Sequence, residues 1–476
     1  SDPSDGSCHL PSIEMKLMMK LKMKLTFWPA VLGALLFETL ILPNQAQAQT
    51  EQFRAGVVRA LPGQLDRGLM INDNNPEVVK GAGILLSTFD GKNRPVPDAH
   101  LNLPLDGSFE LFSHHIFAGV GPNPNSTLWL GIVLGNRTNR AVTVRMPSGA
   151  SWLSQPDAPF LPLPHQLEHD GLSVYAGPGS RAAGDLIAGA SRPSWLPASI
   201  TLPPNSSQLA FSLPIPVKGL DPLLNGRNLQ VRFESDGPVA LASLALISDN
   251  PPSPEQWLAL LDGGLSEKEH VPTPKGAPGP IIYSRVSGVQ QGRRWKGVLS
   301  DPGSKVLQIG DQPVSWPIAS LQKGTFGTGQ VQSAQLLAYY PNTAWEAHGN
   351  YGVEYNLDLP LRNGGKQTQQ LALSLESPLK SDRKEGGLRF RNPPGPAIFF
   401  RGSVELRGID GNPGRKYLHL VLRQGDLGKP LGFVTLAAGE QRNVRLRLIV
   451  PADITPVQVL TVTPLAVKQS EPVPVN

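Results

Sequence analysis

His165-Gln166-Leu167-Glu168-His169 has the His-x-x-Glu-His spacing with which a helix sets two imidazoles on one face to bind zinc, with the glutamate as general base. The local sequence opposes that chemistry. Pro162 and Pro164 precede the motif and Gly171 follows, leaving too little chain for a stable helix. No third ligand is evident, and the expectation is a surface loop with incidental histidines. A second concentration of titratable groups runs from Asp98 to His115 and includes His100, Asp106, Glu110 and His114. A hairpin turning at Asp106-Gly107-Ser108 would bring some of them to one edge, for metal binding or proton transfer. Adjacent His114 and His115 point to opposite faces of a strand, so any one site takes at most one of them. His100, His114 and His115 are therefore weak metal candidates, and the plainer expectation is polar residues on exposed turns.

The segment Trp345-Glu346-Ala347-His348-Gly349-Asn350-Tyr351-Gly352 combines flexible glycines with aromatic and polar side chains, as ligand-binding loops do. The strand after it carries Glu354, Asn356 and Asp358 on its polar face, a surface suited to sugar hydroxyls or calcium. The ligand-binding candidates are Trp345, Glu346, His348, Asn350, Tyr351 and Glu354. Glycoside hydrolysis needs two carboxylates about 5–9.5 Å apart. Glu354 and Asp358 would lie about 13 Å apart on one strand, too far to pair by themselves. The plainer expectation is a solvated face of an antiparallel sheet.

Asn72-Asp73-Asn74-Asn75-Pro76-Glu77 offers oxygen donors without the spacing of an EF-hand, and is expected to be a turn. Arg293-Arg294-Trp295-Lys296 is either a contact for acidic polysaccharide or a solvated basic turn. No nucleophile elbow, phosphate loop, dinucleotide fingerprint or cysteine pair is present in the sequence. No catalytic residue is assigned, and no cofactor is expected.

These groups need elements to hold them, and the composition says which. Charged residues are 17% of the chain, against about 25% in an average soluble domain, while glycine and proline number 49 and 48. Apolar and polar residues alternate at 229–234, 353–359, 371–375 and 444–448, and apolar runs occupy 128–134 and 239–247. These patterns predict an all-β, mainly antiparallel fold of two sandwich-like modules. A short helix is expected over 253–261, with Ser253 as its cap, Pro254 in its first turn and Gln256 completing a capping box. A second is expected from Arg181 to Ala190. The Pro/Gly-rich stretch 250–280 places the division near residue 265, giving modules at 49–265 and 266–470 and a flexible tail at 471–476.

Export is the other expectation. From Met15 a lysine-rich start leads into an apolar stretch from Leu25 to Leu42, then Ala46-Gln47-Ala48. That order is a secretory signal over 15–48, with 1–14 as leader or scar and Gln49 as the mature start. Glu38 within the run argues against a permanent anchor, so no transmembrane segment is expected after cleavage. Cys8, the single cysteine, precedes the signal and leaves the exported chain without disulfides. A net charge of +5 without a lysine–arginine block does not argue for nucleic acid.

A faint internal echo joins the halves. Asn136-Arg137-Thr138-Asn139 leads into a strand as Asn363-Gly364-Gly365 does, and Thr201-Leu202-Pro203-Pro204 launches a later strand as Thr435-Leu436-Ala437-Ala438 does. Two related sandwiches would produce this, as would two unrelated domains with ordinary turn chemistry.

Five strings carry a resemblance: Ala176-Gly177-Pro178-Gly179-Ser180-Arg181, the stretch 327–334, Ala347-His348-Gly349-Asn350-Tyr351-Gly352-Val353, Phe400-Arg401-Gly402-Ser403-Val404 and the stretch 451–460. The chain resembles a family of exported cyanobacterial proteins classed only as a domain of unknown function. The resemblance implies a periplasmic, outer-envelope or extracellular setting in a Gram-negative phototroph, and it supplies no reaction. The expected role is structural or binding rather than catalytic, with envelope polysaccharide or another envelope protein as partner. The alternative is a carbohydrate-binding or carbohydrate-active protein.

Overall fold

The computed structural model describes residues 49–119, 123–170, 174–189 and 192–465; the expected leader, signal peptide and tail lie outside the described residues. Alternating sequence becomes strand where expected: all of 353–359 but its first residue lies in Glu354–Arg362, 371–375 lies in Gln369–Glu376, and 444–448 in Gln441–Ile449. The apolar run at 128–134 lies in Thr127–Gly135. Two expected runs, 229–234 and 239–247, merge into one strand of 24 residues, Asn225–Ser248. Its first half pairs with Leu105–Phe117 and Val142–Leu153, and its second with Gly83–Ser87 and Thr127–Gly135. A register shift between Ser235 and Val239 marks where it passes from one sheet to the other. Between these sheets lie Phe109, Ile132, Val142, Phe211, Phe233 and Leu241.

The C-terminal half folds the same way. An eight-stranded sheet containing Arg294–Val298, Glu354–Arg362, Gln441–Ile449, Ile398–Arg407 and Lys416–Arg423 faces a five-stranded sheet containing Val314–Ile318, Gln458–Leu465, Gln369–Glu376 and Pro430–Leu436. Trp316, Tyr355, Leu373, Val404, Leu446 and Leu460 fill the space between them. The fold is all-β and mainly antiparallel.

The echo in the sequence is a structural repeat. In each half the strand before the asparagine pairs with the strand after the Thr-Leu turn: Thr127–Gly135 with Ser207–Ile215, and Glu354–Arg362 with Gln441–Ile449. The strand after the asparagine pairs with the strand that ends at the leucine: Val142–Leu153 with Ser199–Leu202, and Gln369–Glu376 with Pro430–Leu436. The same strand also pairs on its other side with Asn225–Ser248 or with Gln458–Leu465. Of the two explanations left open by sequence, related topology is the one found.

Strands also pair across the expected division at residue 265. Ser287–Gln291 and Ala334–Tyr339 extend the N-terminal sheet beyond Leu69–Asp73. In return Val57–Val58, Gln64–Leu65 and Gln166–His169 join the C-terminal sheets. The sandwiches are interlaced, not strung on one linker. The helix Pro178–Ala188 lies between them, packing Ala182, Ala183, Leu186 and Ile187 against Ala150 on one side and Tyr417 and Ile449 on the other. It starts three residues earlier than expected because Pro178 and Gly179 form its first turn.

The other helix, Pro254–Ala259, has the expected reciprocal cap: Ser253 Oγ accepts from Gln256 N at 3.4 Å, and Gln256 Oε1 accepts from Ser253 N at 2.8 Å. Trp257 docks it on the strand at Gly131, where an added Cβ would lie 2.5 Å from the indole.

The hairpin expected at Asp106-Gly107-Ser108 does not form. Leu105–Phe117 is one strand, paired on one side with Asn225–Ser248 and on the other, in parallel, with Leu69–Asp73. Gly107, at φ 64°, sits where the partner strand carries two extra residues, so the glycine serves an irregularity of the ladder and not a reversal.

Candidate binding surface and internal charge network

The two sandwiches meet across charged side chains. Glu110, on Leu105–Phe117, lies 2.7 Å from Arg294 and 3.5 Å from Arg232. Glu354, on the opposing sandwich, lies 3.3 Å from Arg232, 3.6 Å from Arg294 and 3.0 Å from Arg447. Arg447 reaches on to Glu405 at 3.2 Å, and Arg407 closes the row on Glu405 at 2.9 Å. The carboxylates are nearly out of solvent, at 3% for Glu110, 9% for Glu354 and 0% for Glu405. Buried carboxylates of this kind are tolerated only when paired, and each here has at least two guanidinium partners. The face expected to be solvated is an inter-module contact at one end only: Glu354 joins the row, while Asp358 pairs within its own sheet with Arg445 at 2.8 Å and both stay partly exposed.

The basic tetrapeptide is drawn into the same framework and is not a solvated turn. Arg293 pairs with Asp66, Arg294 with Glu110, Trp295 is buried with its N–H donated to Pro62 O at 2.9 Å, and only Lys296 stays exposed.

A second polar centre is buried in the N-terminal sandwich, where exposed turns were expected. Asp73 Oδ2 lies 3.0 Å from His115 Nε2, and His115 Nδ1 lies 2.8 Å from Pro76 O. Burial alone would raise the Asp73 carboxyl, but His115, Ser243 and Lys268 together hold it below the usual range. The Lys268 ammonium donates to Asn75 O at 2.7 Å, Leu85 O at 2.5 Å and Ser287 Oγ at 3.1 Å, and burial pushes it down to about 8. Asn75 donates to Glu269 O and Arg285 O. The middle of the Pro/Gly-rich segment, at Lys268 and Glu269, is thereby pinned to the sandwich.

His114 turns the other way from His115, as strand geometry requires, and faces Glu77 at 3.8 Å; Glu77 also pairs with Arg285. Burial and Arg285 push His114 down to about 3. His100 stands apart, bonded to Ser87 Oγ at 2.7 Å and Leu261 O at 3.1 Å. The weak metal candidates thus occupy three separate environments. Among the described residues no three His, Cys, Asp or Glu side chains converge as metal ligands.

The His-x-x-Glu-His segment is not a loop. Gln166–His169 is an edge strand on Lys416–Arg423. His165 faces Asp426 at 3.1 Å, His169 bonds Ser403 Oγ at 2.9 Å, and Glu168 pairs with Lys416 at 3.1 Å. The strand separates the histidines that a zinc site would need one helical turn apart.

The six ligand-binding candidates divide into three environments. Asn350 is fully buried: its amide donates to Gln332 O and Tyr355 Oη, and its oxygen accepts from Ala334 N. Tyr351 donates to Ile454 O at 2.9 Å and is pushed up to about 12 by burial. Glu354 belongs to the charge row. Trp345, Glu346 and His348 remain together, and the connecting segment brings Lys275 and Tyr283 to them. The Trp345 indole donates to Thr273 O at 3.0 Å and meets His348 edge-on, with ring centres 4.6 Å apart. Tyr283 packs on His348 at 4.8 Å. Lys275 Nζ lies 5.1 Å from the centre of the Trp345 ring and 3.4 Å from Glu346 Oε1, while Gln322 donates to Glu346 Oε2 at 2.6 Å. Val271 and Ile282, in the same segment, are exposed.

Lys275, Tyr283 and Gln322 escaped sequence reasoning because a turn-rich segment has no period from which a facing partner can be read. A cleft of about 460 Å³ lies elsewhere, lined by Arg59, Pro62, Ser300, Asp301, Ser304 and Trp316. Its one carboxylate, Asp301, is held by Arg59 at 2.9 Å, so it offers no carboxylate pair.

These features define an all-β protein of two related, interlaced sandwiches with internally neutralised acids and an aromatic–cation surface. The chain belongs to the family described as "Protein of unknown function (DUF3370)", which it matches over residues 56–464. No curated protein matches its sequence. Among solved structures, the CUB1-EGF-CUB2 domains of rat MASP-1 align at 10% identity and a TM-score of 0.16, covering 76% of this chain and 93% of that one. Procruciferin, an 11S globulin from Brassica napus, aligns at 9% identity and a TM-score of 0.10, covering 87% of this chain and 85% of that one. At such scores neither carries an argument about fold or function.

Proposed function

We propose that the protein is an exported component of the cell envelope or extracellular space with a structural or binding role, not a catalytic one. The observation that carries this reading is the commitment of the acids buried between the sandwiches to arginine. Glu110, Glu354 and Glu405 are each held by at least two guanidinium groups that tie one sandwich to the other or brace the sheet. A general acid or base must be free to meet its substrate, and a carboxylate clamped between guanidinium groups in this way is engaged and held in place. Export is supported by the basic, apolar and small-residue order over 15–48. Among the described residues no helix is long and apolar enough to cross a membrane. Fractionation of cells producing the full chain tests the location. Recovery in periplasm, outer membrane or medium with Gln49 as the first residue supports it; full-length protein in the cytoplasm contradicts it.

A second reading, carbohydrate binding, is favoured by the Trp345 surface. A half-buried indole beside Glu346 and Gln322 offers an apolar face and polar groups at its edge, the combination a sugar ring requires. A glycan array with the mature chain tests it, and loss of any signal on Trp345→Ala is the expected outcome.

A further inference from the structure

We propose, resting on the carbohydrate reading, that Trp345, Glu346 and Gln322 form a site for a protonated amino sugar, and that Lys275 of the same chain holds this site closed. The geometry already satisfies an ammonium group. Lys275 Nζ stands 5.1 Å above the indole and 3.4 Å from Glu346 Oε1, a π face and a carboxylate acting on one cation. Glu346 is aimed by Gln322, whose amide donates to the second carboxylate oxygen at 2.6 Å. The indole is itself fixed by its bond to Thr273 O and by the edge contact with His348.

The lysine is the yielding part. Its side chain is 71% exposed, and it rides on a segment where Gly276 and Gly279 adopt positive φ. An exposed ion pair of this kind is weakly held and gives way to a better-matched cation.

An independent feature points to a ligand. His348 is 6% exposed, yet neither of its ring nitrogens has a hydrogen-bond partner. Buried polar groups are rarely left so, and this one lies against the Trp345 ring, where a sugar hydroxyl entering beside the indole would supply a partner. Burial and Lys275 push His348 down to about 3, so it stays neutral and does not repel a bound amine. An amino sugar matches all three parts: its ring stacks on the indole, its ammonium replaces Lys275 at Glu346, and its hydroxyls bond Gln322 and His348.

Calorimetric titration of the mature chain at pH 6 with glucosamine hexamer and with N-acetylglucosamine hexamer tests this, using wild type, Lys275→Ala, Trp345→Ala and Glu346→Gln, each checked for fold by circular dichroism. Glucosamine hexamer is expected to bind wild type, to bind Lys275→Ala about tenfold more tightly, and to lose at least tenfold on Glu346→Gln, which retains an acceptor for Gln322. The acetylated hexamer, lacking the charge, should bind at least tenfold more weakly than glucosamine hexamer. Equal binding of the two hexamers overturns the ammonium chemistry. Weaker binding to Lys275→Ala overturns the closing role. Unchanged binding to Trp345→Ala, or no binding to wild type and Lys275→Ala alike, overturns the site. A positive glycan array alongside that last result would leave the carbohydrate reading standing and move the ligand elsewhere on the protein.

Discussion

Asn136 and Asn363 do the same work at equivalent corners of the two sandwiches. Each side-chain amide donates to the carbonyl four residues on, Arg140 O or Gln367 O at 2.7 Å, and to the leucine ending a later strand, Leu202 O at 3.1 Å or Leu436 O at 2.9 Å. Each side-chain oxygen accepts from the backbone two residues on, at Thr138 or Gly365. Even the backbone agrees, since Asn136 N donates to Ser206 O and Asn363 N to Glu440 O. Both asparagines are fully buried. Asn136→Ala and Asn363→Ala should each cost about 1–3 kcal/mol, because each leaves a buried leucine carbonyl, Leu202 O or Leu436 O, short of its partner. Urea unfolding measures this, and comparable losses at the two corners are expected.

The charge row between the modules predicts an asymmetry among ion pairs. Arg447→Met removes a partner from both Glu354 and Glu405, leaving buried charge short of compensation, and should destabilise by about 3–5 kcal/mol. Arg389→Met breaks the exposed contacts with Glu51 and Glu385 and should leave the unfolding midpoint unchanged. Chemical denaturation of both variants, in low and high salt, checks the contrast.

Trp257 and Gly131 form a lock between the helix Pro254–Ala259 and the sheet. Trp257→Ala should cost about 3–5 kcal/mol through the cavity it leaves. Gly131→Ala forces a methyl group into the indole and should cost about 1–3 kcal/mol or more. Because both act on one contact, the double variant should fall short of the sum, which thermal unfolding of the four proteins reads directly.

His419 gives the fold a dependence on pH. It is buried, bonded to Ser180 Oγ at 2.9 Å, and burial with His169 and Arg401 nearby pushes it from 6.5 down to about 4. Between those values the unfolded chain takes up a proton that the folded protein refuses. Stability contributed by this residue is therefore intact above pH 6.5, is lost as pH falls, and stops falling below about 4. The slope approaches about 1.4 kcal/mol per pH unit. Asp185 and Asp453, both raised to about 6 mainly by burial, act in the opposite sense below that pH, so the wild-type curve alone mixes the contributions. His419→Gln keeps a donor for Ser180 and removes the titration. The difference between wild-type and variant stability should move toward the variant as pH falls from 6.5 to 4; parallel curves would contradict the assignment.

Sequence pattern was a good guide to what shares a face and a poor one to what that face meets. Alternation placed Glu354, Asn356 and Asp358 on one side of a strand, and Arg445 and Arg447 on one side of another. It could not tell water from a second sandwich, because both accept a polar face when the charges balance. The same limit applied to Glu110, His114 and His115, whose opposite-facing histidines were legible and whose burial was not. Local chemistry survived better: the Ser253–Gln256 cap and the Asn136/Asn363 echo depend on neighbours or on a repeated turn. Of the site, Trp345, Glu346 and His348 were legible as a mixed aromatic and polar segment. Asn350, though in the same string, serves the core, and Lys275 arrives from 70 residues away in sequence.

The central proposal is a structural or binding role without catalysis. Its most direct test incubates purified mature protein with isolated cell-envelope polysaccharide, then separates protein-bound polymer from any released fragments. The account predicts that wild type retains intact polymer, that Trp345→Ala retains markedly less, and that neither releases short saccharides. Release of fragments by wild type, abolished by Glu354→Gln, would contradict it.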